Sequence, residues 1–489
     1  MKHIQNIKIE ETPSNEPKKS NFIESMFNET SKGTTENGAV TFTRSGSLLL
    51  DFFAQAGAMR HNPQHALDLF KAAFSEDKEK ALKILFYIRD VRGGQGERTI
   101  FRVCLEWLGE AHEDIFNKII ALAPEYGRWD DMFFDNDVCM ETIKSQIEKD
   151  SQTETPSLLA KWLPTINASS KKTRAMAKFF ARKLGLHPIE YRKKVREIRK
   201  KIKIVEEAMS AQKWGEINYS TVPSQASRIY KNAFKKHDET RYNDFINKAL
   251  EGKKKINATT LYPYQLFNDA ISNNDNKTVD ALWKNLPDYT QGKNAIVVAD
   301  TSGSMTIYNA ISVSVSLALY FAERNVGQFK DYFISFSKIP KLHKVVGTTL
   351  SEKMRSIMLG DVANTNLQAV FDLILNTATN NKTPKNELPS TIYVISDMEF
   401  DNAVDGKTNF ETIKAKYEAH GYDMPNLVFW NVNSRNDNLP VTKDENNVSL
   451  VSGCSPIIFK IAVENKTPIQ AMEDTINTER YEPIKKALQ

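Results

Sequence analysis

Cysteine is scarce: three in 489 residues, Cys104, Cys139 and Cys454, far apart and without a Cys-x-x-Cys pair. A disulfide scaffold and a zinc ribbon are both excluded on that ground. Long apolar runs are lacking too, so no segment reads as a membrane span, and Met1 to Asn6 has no apolar stretch of the kind that opens a secretory signal. We therefore expect a cytoplasmic protein with no membrane partner. No Ser-His-Asp or Cys-His arrangement and no nucleotide fingerprint is visible, so we expect a protein that is not an enzyme. What remains is an ordinary globular composition, 40% hydrophobic and 26% charged, with a mild formal charge of +5. That length predicts two to four domains.

The most informative stretch is Ala295 to Met305. Ala295-Ile296-Val297-Val298-Ala299 ends in Asp300, followed by Thr301-Ser302-Gly303-Ser304, which predicts a buried strand running into a tight turn. Ile307, Ile311, Val315, Leu319 and Ala322 then predict a helix over Thr306–Glu323. The turn between them is where open α/β sheets bind ligands. Asp300, Ser302 and Ser304 offer one carboxylate and two hydroxyls at alternate positions, a hard-oxygen set suited to Mg²⁺, with Mn²⁺ the alternative. Two later strand-to-helix corners supply Thr365, before the helical run Leu367–Ala378, and Asp397, after the apolar strand Thr391–Ser396. Further strands are predicted at 331–336 and 427–432, and helices at 411–420 and 456–463.

This order, Asp-x-Ser-x-Ser, then Thr, then Asp, resembles the von Willebrand factor A domains and their metal-ion-dependent adhesion site, with Asp300, Ser302, Ser304, Thr365 and Asp397 matching. The resemblance implies a doubly wound α/β domain over residues 291–467 whose metal is completed by a partner's carboxylate. Asp397, Glu399 and Asp401 also crowd carboxylates as two-metal nucleases do, but no His or Lys base stands beside them.

Ahead of this domain, residues 46–290 carry helical periodicity, as in Pro63–Phe74, 80–91, 99–110 and 113–122, joined by short turns in the manner of stacked helix pairs. Residues 1–45 are polar, with Phe22, Ile23 and Phe27 their main apolar cluster, and predict a flexible arm. Residues 468–489 predict a helical segment that packs back on the helical region. Two turns, Arg89–Arg98 and Tyr126–Asp131, are rich in charge and glycine. The first lacks the Gly-Lys-Ser/Thr ending of a P-loop. Arg89, Arg92 and Arg98 there serve either as an anion contact or as a salt-bridged turn between helices.

Basic residues concentrate beyond Ala160. They include Lys171, Lys172, Arg174, Lys178, Arg182 and Lys183, then Arg192, Lys193, Lys194, Arg196, Arg199, Lys200, Lys201 and Lys203. Trp162, Phe179, Phe180, Tyr191, Trp214, Tyr219 and Tyr230 are interleaved. Such a mixture suits phosphate neutralisation with base stacking, and also describes plain solvated helix faces. The motifs at Arg89–Arg98, Gly127–Asp131, Lys161–Thr165 and Tyr191–Lys193, together with Ser396–Asp401, resemble the Ro ribonucleoprotein (TROVE) family, in its bacterial, phage and plant branch. That resemblance implies a ring of HEAT-like helical repeats joined to an A domain. It also implies binding of small structured, non-coding or misfolded RNA, with Lys171, Lys172, Arg174, Arg192, Lys193, Lys194 and Arg196 as candidate contacts. The rival reading is a metal-dependent protein-interaction scaffold with no RNA role, and a weaker third is a metal-dependent nuclease.

Overall fold

The computed structural model describes Met26 and residues 28–202, 204–272, 276–336, 339–357, 365–402 and 406–489. Phe22, Ile23, Phe27, Lys203 and residues 361–364 lie outside them. After helical residues at 28–30, a short hairpin of β1 (Lys32–Thr34) and β2 (Val40–Phe42) follows. Helices then dominate up to residue 284, and an α/β unit follows.

Short-range signals set the helices. Ser47 accepts from the Leu50 amide at the start of Leu48–Gln55, Pro63 opens Pro63–Glu76, and Asp77 accepts from the Lys80 amide to begin Lys78–Arg89. Ala66, Leu67, Phe70, Ala73 and Phe74 are buried together, as their spacing predicts. The two glycine-rich turns meet each other. Arg89 Nε and Nη2 lie 2.8 and 2.6 Å from Asp131 Oδ2, and Arg102 Nε lies 2.8 Å from Asp131 Oδ1. Arg89 and Asp131 are both buried, so the Arg89–Arg98 turn is a salt-bridged joint between helices at this arginine. Gly127 is required there, because a Cβ would lie 2.3 Å from Asp131 Oδ2 and 2.6 Å from Arg89 Nε.

The strands of the α/β unit are β3 (Ala295–Asp300), β4 (Tyr332–Phe336), β5 (Lys341–Lys344), β6 (Thr391–Ser396), β7 (Asn426–Asn431) and β8 (Val448–Ser452). They form one six-stranded sheet of order β5-β4-β3-β6-β7-β8. All pairs are parallel except β4 with β5. β3 and β6 are buried at every residue, which explains their uninterrupted apolar sequences. The predicted helix 306–323 is broken: a 3₁₀ segment, Gly303–Asn309, precedes the helix Ala310–Arg324. Tyr308 and Asn309 adopt left-handed φ of 53° and 61°, which Asn tolerates better than Tyr. Gly303–Arg324 is long and apolar enough to cross a bilayer, yet 72% of its most apolar window is buried inside the protein. The 456–463 helix shrinks to a 3₁₀ turn, Pro456–Lys460.

Both ends of the described chain cross between the two regions. Residues 32–42, expected to belong to a flexible arm, are instead the β1–β2 hairpin docked on the α/β unit. Phe42 and Leu439 exchange backbone hydrogen bonds of 2.9 Å, and Thr35 Oγ1 donates to the Phe400 carbonyl at 2.6 Å. The hairpin is anchored by these bonds and by Ala39 and Phe42, which join the hydrophobic core, a docking that its mostly polar sequence does not announce. At the other end, Pro468–Ile476 and Glu482–Leu488 pack on the early helices. Arg480 binds Asp90 through Nε and Nη2, at 2.8 and 3.0 Å, and Tyr126 donates to the Arg480 carbonyl at 2.6 Å. The Asp90 side chain is fully buried, so removing its cation leaves a desolvated carboxylate. Arg480→Ala is expected to cost about 2 kcal/mol of stability, read as a lower urea midpoint with unchanged slope.

Candidate metal centre and basic surface

β3 and β6 are adjacent, but the chain leaves β3 to build β4 and β5 on one side before returning to β6 on the other. The crevice at their carboxyl ends is thus a switch point of the sheet. Asp300 ends β3, and Asp397 follows the last residue of β6. Both are buried, as are Ser302 and Thr365, while Ser304 is half-buried.

The local bonds tie Asp300, Ser302 and Ser304 into one cluster, with Asp397 close enough to act on the Asp300 charge. The Ser302 amide donates to Asp300 Oδ1 at 2.8 Å, and the Ser302 and Ser304 hydroxyls lie 3.2 Å apart. Ser396 Oγ donates to Asp300 Oδ2 at 2.5 Å. Thr365 is joined to the far side: its carbonyl accepts from the Asp401 amide at 2.9 Å, and its hydroxyl lies 3.4 Å from Asn37 Nδ2. Burial, and then the neighbouring Asp397, push the Asp300 carboxyl up to about 7. Burial also raises Glu399 and Asp401. Among the described residues no three His, Cys, Asp or Glu side chains form a metal-binding group; this set instead combines two carboxylates with three hydroxyls. A buried carboxylate pressed by a like charge and flanked by hydroxyl oxygens is the donor chemistry that a hard divalent cation fits.

Residues not expected from the sequence close the cluster. Arg435, in the segment after β7, places Nη2 3.2 Å from Asp397 Oδ2 and Nη1 2.8 Å from Glu36 Oε1. Glu399 Oε1 accepts from the amides of Asn436 and Asn438, and its Oε2 from the Glu36 backbone. Asn37 Nδ2 donates to the Glu399 carbonyl at 2.6 Å. The available signal was the polar run Arg435-Asn436-Asp437-Asn438 at another strand end on the same edge. The Glu36–Asn37 tip had none. Beside the Ser302–Ser304 loop, His61 of the helical region stacks on Tyr308 with centroids 4.0 Å apart.

The candidate RNA contacts sit on two packed helices, Lys171–Lys183 and Pro188–Ile202. Lys171, Lys172, Arg192, Lys193 and Arg196 are exposed, and Lys194 is half-buried. Arg174 differs: its Nη1 donates to the Ala168 and Ser169 carbonyls at 2.6 and 2.7 Å, closing the preceding loop. Arg199 is likewise committed to the carbonyls of Ala160 and Leu163. The aromatic part of the expectation fails for three residues. Phe180, Tyr191 and Tyr219 are buried, with Tyr191 donating to the Pro164 carbonyl at 2.9 Å. Phe180 and Tyr191 face inward because they share the helix stripes of Ala177 and Ala181, and of Val195 and Ile198. Trp162 is half-buried beneath the Arg128 guanidinium, 4.0 Å from its ring centre.

Residues 294–488 match the model of a family described as domain of unknown function DUF7788, and residues 35–116 and 133–293 match domain of unknown function DUF2828. The boundary between the two falls one residue before β3, where helices give way to the sheet. The chain is also similar to uncharacterized protein L728 of Acanthamoeba polyphaga mimivirus, 28% identical over 481 residues, covering 87% of this chain and 83% of that protein. The similarity therefore takes in both regions in their present order.

Proposed function

We propose that the protein binds RNA through its helical region and a divalent cation, Mg²⁺ or Mn²⁺, at the ends of β3 and β6. In this reading it is a Ro-like ribonucleoprotein component of the cytoplasm, with a HEAT-like repeat region and a doubly wound A domain. The observation that carries it is the cation surface of the two packed helices. Lys171, Lys172, Lys178, Arg192, Lys193, Arg196 and Lys200 all face solvent, and none of them has a carboxylate partner among the described residues. Exposed cations on two neighbouring helices attract phosphates, and the counterions released on binding supply sequence-independent affinity. With Phe180, Tyr191 and Tyr219 committed to the core, binding rests on backbone charge and shape more than on stacking, which suits structured RNA.

Asp300, Ser302, Ser304, Thr365 and Asp397 would hold the cation. When bound, it supplies a Lewis-acidic position for an incoming carboxylate of a protein partner. The chain's own residues prepare that position. The Ser302 amide and Ser396 hydroxyl orient the Asp300 carboxylate, and the crevice walls keep it dry.

Purifying the protein from its native cells after crosslinking, and sequencing the RNA attached to it, tests the RNA reading. Discrete small RNAs, absent from a variant carrying Glu at Arg192, Lys193 and Lys194, are expected. Protein free of enriched RNA would leave the metal-dependent protein scaffold as the better account.

A further inference from the structure

Among the described residues Arg435 is the one cation that forms an ion pair with a carboxylate of the proposed centre, and its position is unusual in one respect. The guanidinium bridges a side chain of the centre, Asp397, to the tip of the N-terminal hairpin, Glu36. Its side chain is 18% exposed and that of Asp397 is fully buried, so the pair interacts where water screens little. The remaining nitrogen, Nε, is buried and has no partner among the described residues. The hold on Asp397 is a single 3.2 Å contact rather than a two-pronged fork. This is a guanidinium placed by charge more than by a complete set of hydrogen bonds.

We infer that Arg435 is a tethered cation that competes with the divalent metal for Asp397 and, through Glu36, couples metal loading to loosening of the hairpin tip, residues 35–38. The inference rests on the metal reading above. A divalent charge at Asp300 and Ser302–Ser304 repels a guanidinium beside Asp397, and Asp397 cannot offer both the same electrons. As Arg435 withdraws, Glu36 loses its 2.8 Å ion pair, keeping on its side chain the Asn436 amide at 3.1 Å. The tip is otherwise held by Thr35 on Phe400, Asn37 on Glu399 and the Glu36 amide on Glu399. Phe400 and Glu399 belong to the loop that Asp397 begins, so a shift of that loop on metal binding acts on the same bonds. The body of the hairpin stays, because Phe42 and Leu439 hold each other by two backbone hydrogen bonds that involve none of these charges. The device makes the hairpin tip a reporter of metal, and uncovers Glu399 only in the loaded state.

The test measures Mn²⁺ binding by calorimetry and hydrogen exchange of the amides of residues 35–39, in wild type, Arg435→Gln and Glu36→Gln. Circular dichroism of each variant checks that it is folded. Arg435→Gln is expected to bind Mn²⁺ about tenfold more tightly, one unit of charge having left a poorly screened site, with tip exchange already fast before metal. In wild type, saturating Mn²⁺ should speed exchange at the tip. Glu36→Gln, which leaves Arg435 in place, should have a fast tip that Mn²⁺ no longer alters. Equal or weaker Mn²⁺ binding by a folded Arg435→Gln would overturn the competition, making Arg435 a positioning residue for Asp397. Mn²⁺ binding to wild type with unchanged or slowed tip exchange would overturn the coupling. Absence of Mn²⁺ binding from wild type and all variants alike would instead remove the metal reading, and the inference with it.

Discussion

Replacing Arg192, Lys193 and Arg196 by Glu is expected to weaken RNA binding by on the order of 100-fold or more at physiological salt. The three lie on one exposed helix whose buried stripe, Tyr191, Val195 and Ile198, does not include them, so the fold should survive. The sharper readout is the salt dependence. Each phosphate that the protein no longer neutralises lowers the slope of log affinity against log salt by about 0.7 for single strands and about 0.9 for a duplex. Three fewer neutralised phosphates should thus reduce it by about 2 to 3 units, while a variant that merely disturbed folding would lower the amount of active protein and leave the slope alone. Fluorescence anisotropy with a short structured RNA at several salt concentrations measures both. A matched variant at Arg174 should do less to the slope, since that guanidinium is already spent on the Ala168 and Ser169 carbonyls. An unchanged slope in the triple variant would place the RNA elsewhere, or nowhere.

Asp300→Ala is expected to abolish divalent binding, a loss of more than about 100-fold, because it removes the buried carboxylate that the rest of the cluster orients. The wild-type protein should show a characteristic pH dependence. Its Asp300 carboxyl is raised to about 7, so below that pH a proton must leave before the cation enters. Affinity should then rise by up to about tenfold per pH unit to pH 7 and flatten above it. Calorimetry in buffers of different ionisation heat would detect the proton released. In the metal-free protein the same shift acts on stability with a definite sign. The folded state holds the proton more tightly than the unfolded chain does, so this group's contribution favours folding at low pH and is lost as pH rises from about 4 through 7. Mg²⁺ should accordingly raise the melting temperature more at pH 8 than at pH 5.5. Ser304→Ala, which removes one hydroxyl from a half-buried position, should weaken binding less than Asp300→Ala does.

The sequence made β3 and β6 readable because strands covered on both faces must be apolar throughout. β5 escaped for the opposite reason. Lys341-Leu342-His343-Lys344 is an edge strand with only His343 buried, and edges favour lysine. Asp300, Ser302 and Ser304 could be placed because the turn that joins strand to helix is local. Asp397 followed from its strand-to-helix corner, whereas Thr365 stands between the helices Leu350–Ser356 and Leu367–Asn380, with no described strand leading into it. Glu36 could not be placed, since its bonds with Glu399 and Arg435 span more than 360 residues and no local pattern encodes a polar tip docking on a distant loop. The basic helices were legible as charge. The inward turn of the aromatics was also legible in principle: Phe180 falls on the stripe of Ala177 and Ala181, the face a helix turns inward.

The clasp between Asp90 and Arg480 joins residues 390 positions apart, and it bears on how the protein is made. The residue that caps the helix Lys78–Arg89 is a carboxylate that stays without its Arg480 cation until almost the whole α/β unit has been translated. At the usual pace of about 5–20 residues per second, that interval lasts roughly 20 to 80 seconds. The nascent helical region therefore spends it incomplete, with the surface that later receives residues 468–488 bare. That surface stays open to solvent and to other nascent chains until its own closing segment arrives.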